Sequence, residues 1–126
     1  MNKSDLEIQK KLVALFIRLE NEIKINDSAT TKLGWKQRNE LISHVYSEYN
    51  NHDKLNSART QWNNSVVKSN VLKWIYNLFI ENRDLYGYFE YHEKIIADLN
   101  NLKEKAIEKE EYEIADILNE WLLKLP

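Results

Sequence analysis

The residue types best suited to chemistry in this chain are Arg38, three histidines and a few adjacent carboxylates, and their spacing limits what they could do. Arg38 and His44 stand six apart in Arg38-Asn39-Glu40-Leu41-Ile42-Ser43-His44. On a helix that separation leaves them about 120° from eclipse, compatible with a shared rim. His52-Asp53 is an isolated pair, and His92-Glu93 has no second histidine four residues after the first. His44, His52 and His92 are otherwise scattered, so no metal site is expected. Gly34 and Gly87 each stand alone, which excludes a glycine-rich phosphate loop, and no cofactor is expected. Glu110 and Glu111 sit in a charged run that reads as solvated surface rather than a buried acid–base pair.

A second chemistry lies in the middle of the chain. No acid occurs between Lys54 and Ile80, whereas Lys54, Arg59, Lys68 and Lys73 are basic. These four could contact phosphates, Trp62 or Tyr76 could stack on bases, and Asn63, Asn64 and Asn70 could reach base edges. An acidic protein partner would use the same patch equally well. Four bases over that length are sparse, and the aromatic positions coincide with an expected core face. The charge of the whole chain is −2. Residues 90–126 hold ten acids and five bases, a net −5, so the remainder carries +3 and the chain is polarised.

The elements that would position these residues are helices. The chain has 126 residues, 43% hydrophobic and 30% charged, enough for one domain with its own core. It contains two glycines and one proline, the last residue, too few for the many tight turns of a sheet protein. Cysteine is absent, which excludes disulfides and thiolate metal sites and fits a reducing compartment. No apolar run reaches the ~18 residues of a membrane span, and Met1 to Lys11 lacks a signal-peptide profile, so a cytoplasmic location is expected. Abundant Asn, Lys and Ile suggest an AT-rich bacterial or phage genome.

The spacing predicts an all-α single bundle of about five helices with short loops, spanning residues 1–126. Ser4-Asp5-Leu6-Glu7 reads as a capping box opening helix one, followed by Ile8, Leu12, Leu15, Phe16, Leu19 and Ile23 on one face. Asn26 to Lys32 reads as a polar loop. Gly34-Trp35 would open helix two, with Trp35, Leu41, Ile42, Val45, Tyr46 and Tyr49 as its apolar face. Asn50 to Ser57 reads as the clearest loop. A third helix is expected over Ala58 to Asn82, turning Trp62, Val66, Val67, Val71, Trp74, Ile75, Leu78 and Phe79 inward, with a break near Ser69-Asn70. Gly87 marks a junction, and a fourth helix from Tyr88 carries Phe89, His92, Ile95, Ile96, Leu99 and Leu102. In the last segment Ile114, Ile117, Leu118, Trp121, Leu122 and Leu125 form a stripe. That stripe runs almost in phase from Leu99 through Glu110, so spacing leaves open one long helix or a helical hairpin over residues 99–125.

That terminal segment resembles the UVR motif, a short helical hairpin of the bacterial nucleotide-excision nuclease subunits, some Clp-type chaperone ATPases and many small bacterial proteins. The resemblance rests on Ala106, Glu110, Tyr112, Glu113, Ala115, Leu118, Glu120, Leu122 and Leu125. An Arg-Asp pair usual near the motif's end is replaced by Asn119-Glu120, and Trp121 is unusual there. The resemblance implies pairing of helices with a second copy or a partner, and makes the region about 90–125 the docking element, with Tyr112, Ala115, Leu118, Trp121 and Leu122 as its surface.

The Arg38–His44 segment in turn resembles the Arg-x4–6-His signature of HEPN ribonucleases. That resemblance implies a metal-independent ribonuclease of a defence or toxin system, in which His44 moves the proton of a ribose 2′-hydroxyl and Arg38 stabilises the phosphate across a dimer cleft. Topology weighs against it, since HEPN domains usually present the motif after several helices and only one precedes it here. The expectation from the sequence as a whole is a non-catalytic helical adaptor or homodimer that modulates a larger bacterial or phage complex through helix contacts. A HEPN-like ribonuclease and a nucleic-acid-binding accessory protein, using Lys54, Arg59, Trp62, Lys68 and Lys73, are the alternatives.

Overall fold

The computed structural model describes residues 3–126, and all its regular structure there is helical. Four helices follow one another: α1 (Lys3–Tyr46), α2 (His52–Glu81), α3 (His92–Glu108) and α4 (Tyr112–Lys124). Four rather than five elements form because the first two expected helices are one. The capping box expected at Ser4 falls on side chains outside those described, and α1 already includes Lys3. At 44 residues α1 is about 66 Å long.

The polar segment Asn26 to Lys32 stays helical because Asn26, Asp27 and Thr30 find partners on α2, while the Thr30 and Thr31 hydroxyls bond carbonyls one turn back within the helix. Asn26 is buried and its Nδ2 donates to the Ser65 carbonyl at 3.0 Å. The Thr30 hydroxyl meets the Ser65 hydroxyl and also reaches its own helix at the Asn26 carbonyl, 2.8 Å away. One turn away, Ser69 Oγ donates to Asp27 Oδ1 at 2.7 Å, and Lys73 Nζ lies 3.5 Å from the same carboxylate oxygen. This polar seam also explains why α2 does not break at Ser69-Asn70: Ser69 points across to α1. Gly34 is no helix start either. It lies within α1 and faces Trp62 of α2, where a Cβ would stand in ordinary contact, 3.4 Å from the indole Nε1.

Asn50 to Ser57 is a loop only in its first part. Helix α2 begins at His52, and Leu55 and Ala58 are buried against α1. The connection is short because α1 ends in a left-handed cap: Glu48 and Tyr49 have φ of 56° and 67°. The Tyr49 amide donates back to the His44 carbonyl (2.8 Å) and the Glu48 amide to the Val45 carbonyl (3.3 Å), the paired bonds of a Schellman motif.

The core is built at the other end of the α1–α2 pair. Leu12, Phe16 and Leu19 of α1 meet Val71, Leu72, Ile75 and Phe79 of α2, with Ile95 and Leu99 of α3 and Leu118 and Trp121 of α4. Helices α3 and α4 form a hairpin, not one long helix. It turns at Glu110 (φ 58°), where the Glu111 amide bonds the Ala106 carbonyl at 2.8 Å and the Glu110 amide bonds the Ile107 carbonyl at 3.0 Å. Small buried side chains at Ala106 and Ala115 flank that turn, and Lys103 Nζ bridges to Asn119 Oδ1 at 2.8 Å.

Residues 82–91 link α2 to α3, which starts at His92 rather than Tyr88. Gly87 adopts φ 80°, and a Cβ there would come within 2.9 Å of the Arg83 guanidinium. That guanidinium lies 5.0 Å above the Phe16 ring and 5.8 Å from Phe89. Phe89 itself is fully buried, held by a two-way amide clasp: Gln9 Nε2 donates to the Phe89 carbonyl at 2.9 Å, and the Phe89 amide donates to Gln9 Oε1 at 2.8 Å.

Because Trp121 is buried among α2 and α3, Trp121→Ala is expected to lose about 3–5 kcal/mol of stability. Urea unfolding measures this directly, and a loss below about 1 kcal/mol would contradict the packing.

Candidate functional site

The fold leaves an arm. Helix α2 pairs with α1 along its length, but α3 and α4 cover α2 only as far as Val67, which packs beside the hairpin turn at Glu110 to Ile114. The reason is on α2. Val67, Val71, Trp74 and Leu78 form its second apolar face, and the same face continues towards the helix start as Asn64, Asn63, Thr60 and Asn56, all exposed. With nothing apolar to cover, the bundle ends there. Residues 28–46 of α1 and 52–66 of α2 run on as a two-helix arm, about 28 Å long on the α1 side.

On that arm α1 remains apolar on a side that α2 does not cover. Trp35, Leu41, Ile42, Val45 and Tyr46 are between 42% and 85% exposed, and Tyr49 in the following turn is exposed as well. The sequence marks these residues as the apolar face of a second helix. They lie outside because the layer that would cover them is missing. Beside the stripe runs a groove of about 420 Å³, lined by Thr31, Gly34, Trp35, Gln37, Arg38, Leu41 and Trp62. Gly34 forms part of its floor, beside the Trp62 indole.

Arg38 and His44 lie on different sides of α1. The Arg38 guanidinium stacks 5.1 Å over the exposed Trp35 ring, within the stripe. His44 is buried and faces the start of α2, where its Nδ1 accepts from the Asn51 amide at 3.1 Å. Its ring lies 4.4 Å from that of His52 and 5.3 Å from that of Tyr49. Asn51 is tied further, its Nδ2 donating to Glu40 Oε2 at 2.7 Å. The arrangement holds the turn between the long helices, with the imidazole oriented by the backbone amide that it accepts at Nδ1.

The basic residues of α2 are not gathered on one face. Lys54 lies at the arm tip, Lys68 is on the opposite side of the helix from Arg59, Lys73 pairs with Asp27, and Trp62 is half-buried against Gly34. Nor is the α4 stripe free. Ala115, Leu118 and Trp121 are buried by this chain's own helices, Leu122 is half-buried, and of the five expected docking residues Tyr112 is the exposed one. Among the described residues no group of three or more His, Asp or Glu side chains is placed to hold a metal ion, and no helix is long and apolar enough to cross a membrane.

Compared with known protein families, with curated proteins and with solved structures, the chain matches none of them. The arm's geometry therefore carries the functional reading.

Burial of the imidazole, with smaller contributions from nearby His52 and Arg59, lowers the His44 pKa from 6.5. The fold thus holds a neutral His44 where the unfolded chain begins to protonate. This contribution to stability is full above about pH 6.5 and is lost as pH falls below it. In an NMR titration the His44 midpoint is expected below 6.5, and His44→Gln should flatten the corresponding acid limb of the stability profile. A midpoint at or above 6.5 would contradict the buried, neutral imidazole.

Proposed function

We propose that this protein is a non-catalytic helical interaction module that docks through the arm of α1 rather than through α4. The observation that carries the reading is the uncovered stripe Trp35, Leu41, Ile42, Val45 and Tyr46. Applying the exposed fraction of each of these five side chains to its full area gives on the order of 600 Å² of largely apolar surface, the upper end of the ~300–600 Å² of the largest patch on a typical monomer, a size that is often functional. Two aromatics, one arginine and three aliphatic residues are also the composition of interface centres, where lysine and acids are depleted. The arm is firm enough to present them, since the polar seam at its base and the His44–Asn51 closure at its tip fix both helices. An adaptor role in a larger bacterial or phage assembly is the use such a module would serve.

An exposed docking stripe is dispensable for folding. Ile42→Asp is expected to leave the unfolding free energy of the dilute protein within about 0.5 kcal/mol of the unmutated chain. The same variant should abolish the adducts that a benzophenone side chain at Val45 forms on irradiation of cells expressing the protein. A stability loss of about 2 kcal/mol or more would make the stripe core. The absence of any adduct at Val45 would remove the docking function.

A further inference from the structure

If the arm is a docking surface, as argued above, its occupant is set by the order of residues along it. We infer that the stripe packs against the same stripe of a second copy of this chain, in an antiparallel, two-fold pair centred on Ile42. The stripe is self-complementary about that residue. Four positions to one side stands Arg38 and four to the other stands Tyr46. An antiparallel pair with Ile42 on the axis therefore sets Arg38 of each copy over the partner's Tyr46. Arg38 already lies 5.1 Å above Trp35, so its guanidinium would be sandwiched between two aromatic faces, one from each chain. Tyr46 is the most exposed residue of the stripe and gains a partner it lacks within the chain.

Area and charge point the same way. About 600 Å² on each copy, roughly 1,200 Å² in the pair, is the size of a small and reversible interface. Arg38 is the one charged residue in the stripe, and in this register the two copies of it lie eight residues apart along the axis, about 12 Å. Like charges are thus not opposed. A contact between the arm of one chain and the acidic α3–α4 hairpin of another would join two different surfaces, and the stripe offers that acidic surface a single cation. A two-fold pair uses one surface twice and closes.

The chain contains no cysteine, so introduced cysteines report the register without background. Each substitution falls at an exposed position, and the unmutated chain is measured beside the variants by sedimentation equilibrium. Expected are a reversible dimer of the unmutated chain, rapid oxidative cross-linking of Ile42→Cys across the axis, and cross-linking of the Arg38→Cys/Tyr46→Cys variant. Trp35→Cys alone should remain uncross-linked, because antiparallel packing holds its two copies about 21 Å apart, beyond the ~7 Å limit for a disulfide. Cross-linking of Trp35→Cys alone would show a parallel pair and overturn the inference. So would a dimer in which Cys introduced at Ile42 fails to cross-link, since that dimer uses another face. A chain that stays monomeric up to ~100 μM, while the Val45 benzophenone forms an adduct of another mass, would overturn the second copy as occupant and leave the docking surface standing. A monomer with no adduct would remove both.

Discussion

The polar seam between α1 and α2 is the constraint on which the rest of the molecule depends. Two long helices can slide past one another at little cost when only apolar side chains meet, because apolar contacts are not directional. Asn26 with Ser65, Thr30 with Ser65, and Asp27 with Ser69 and Lys73 remove that freedom. A shift by one turn would leave the buried Asn26 amide without its acceptor, at a cost of about 1–3 kcal/mol. In the register so fixed, Leu12, Phe16 and Leu19 stand opposite Leu72, Ile75 and Phe79, and Gly34 stands opposite Trp62. The exposed ion pair of Lys73 and Asp27 adds little by itself, because such pairs contribute about 0–1 kcal/mol.

From that register follows the division of the molecule into a bundle and an arm. The α3–α4 hairpin adds a second layer where α2 is apolar on two sides, and stops where that second side turns to asparagine and threonine. The Gln9–Phe89 clasp then pins the connecting segment over the open end of α1, so the aromatic group of Phe16, Phe79 and Phe89 closes with ring centroids 5.8–6.3 Å apart. What is left over is the far half of α1, whose apolar stripe has the composition of an interface and no neighbour in its own chain.

The helical class, the single small bundle and most of the core were legible from the sequence. Leu12, Phe16, Leu19, Val71, Ile75, Phe79, Leu99 and Trp121 recur at helical spacing, and two glycines leave no other class open. The boundaries were not legible, for two physical reasons. Asn26 to Lys32 has the composition of a loop, and its helicity comes from partners 35 to 42 residues away on α2. The turns after α1 and α3 use Glu48, Tyr49 and Glu110 at positive φ, where glycine or asparagine would have signalled the cap. The same periodicity that found the core could not tell a stripe covered from within from one left open. An apolar face at helical spacing says that something must cover it, not which chain does so. Trp121 and Leu118 proved to be covered from within, and Trp35, Ile42 and Tyr46 were left outside. The run of Asn56, Thr60, Asn63 and Asn64 on the second face of α2 was the available signal, since it marks where the covering layer must end.

The arm exists only if α1 is one helix through its polar segment, and without the arm there is no exposed stripe. The direct measurement is the distance between spin labels at Lys10→Cys and Ser43→Cys in this cysteine-free chain, with labelled protein diluted into unlabelled. Both positions are exposed, and 33 residues of continuous helix place their backbones about 50 Å apart. A single narrow distribution near that value is the expected result. A distance below about 35 Å would show that the chain turns back at Asn26 to Lys32, and would contradict the arm and every functional conclusion drawn from it.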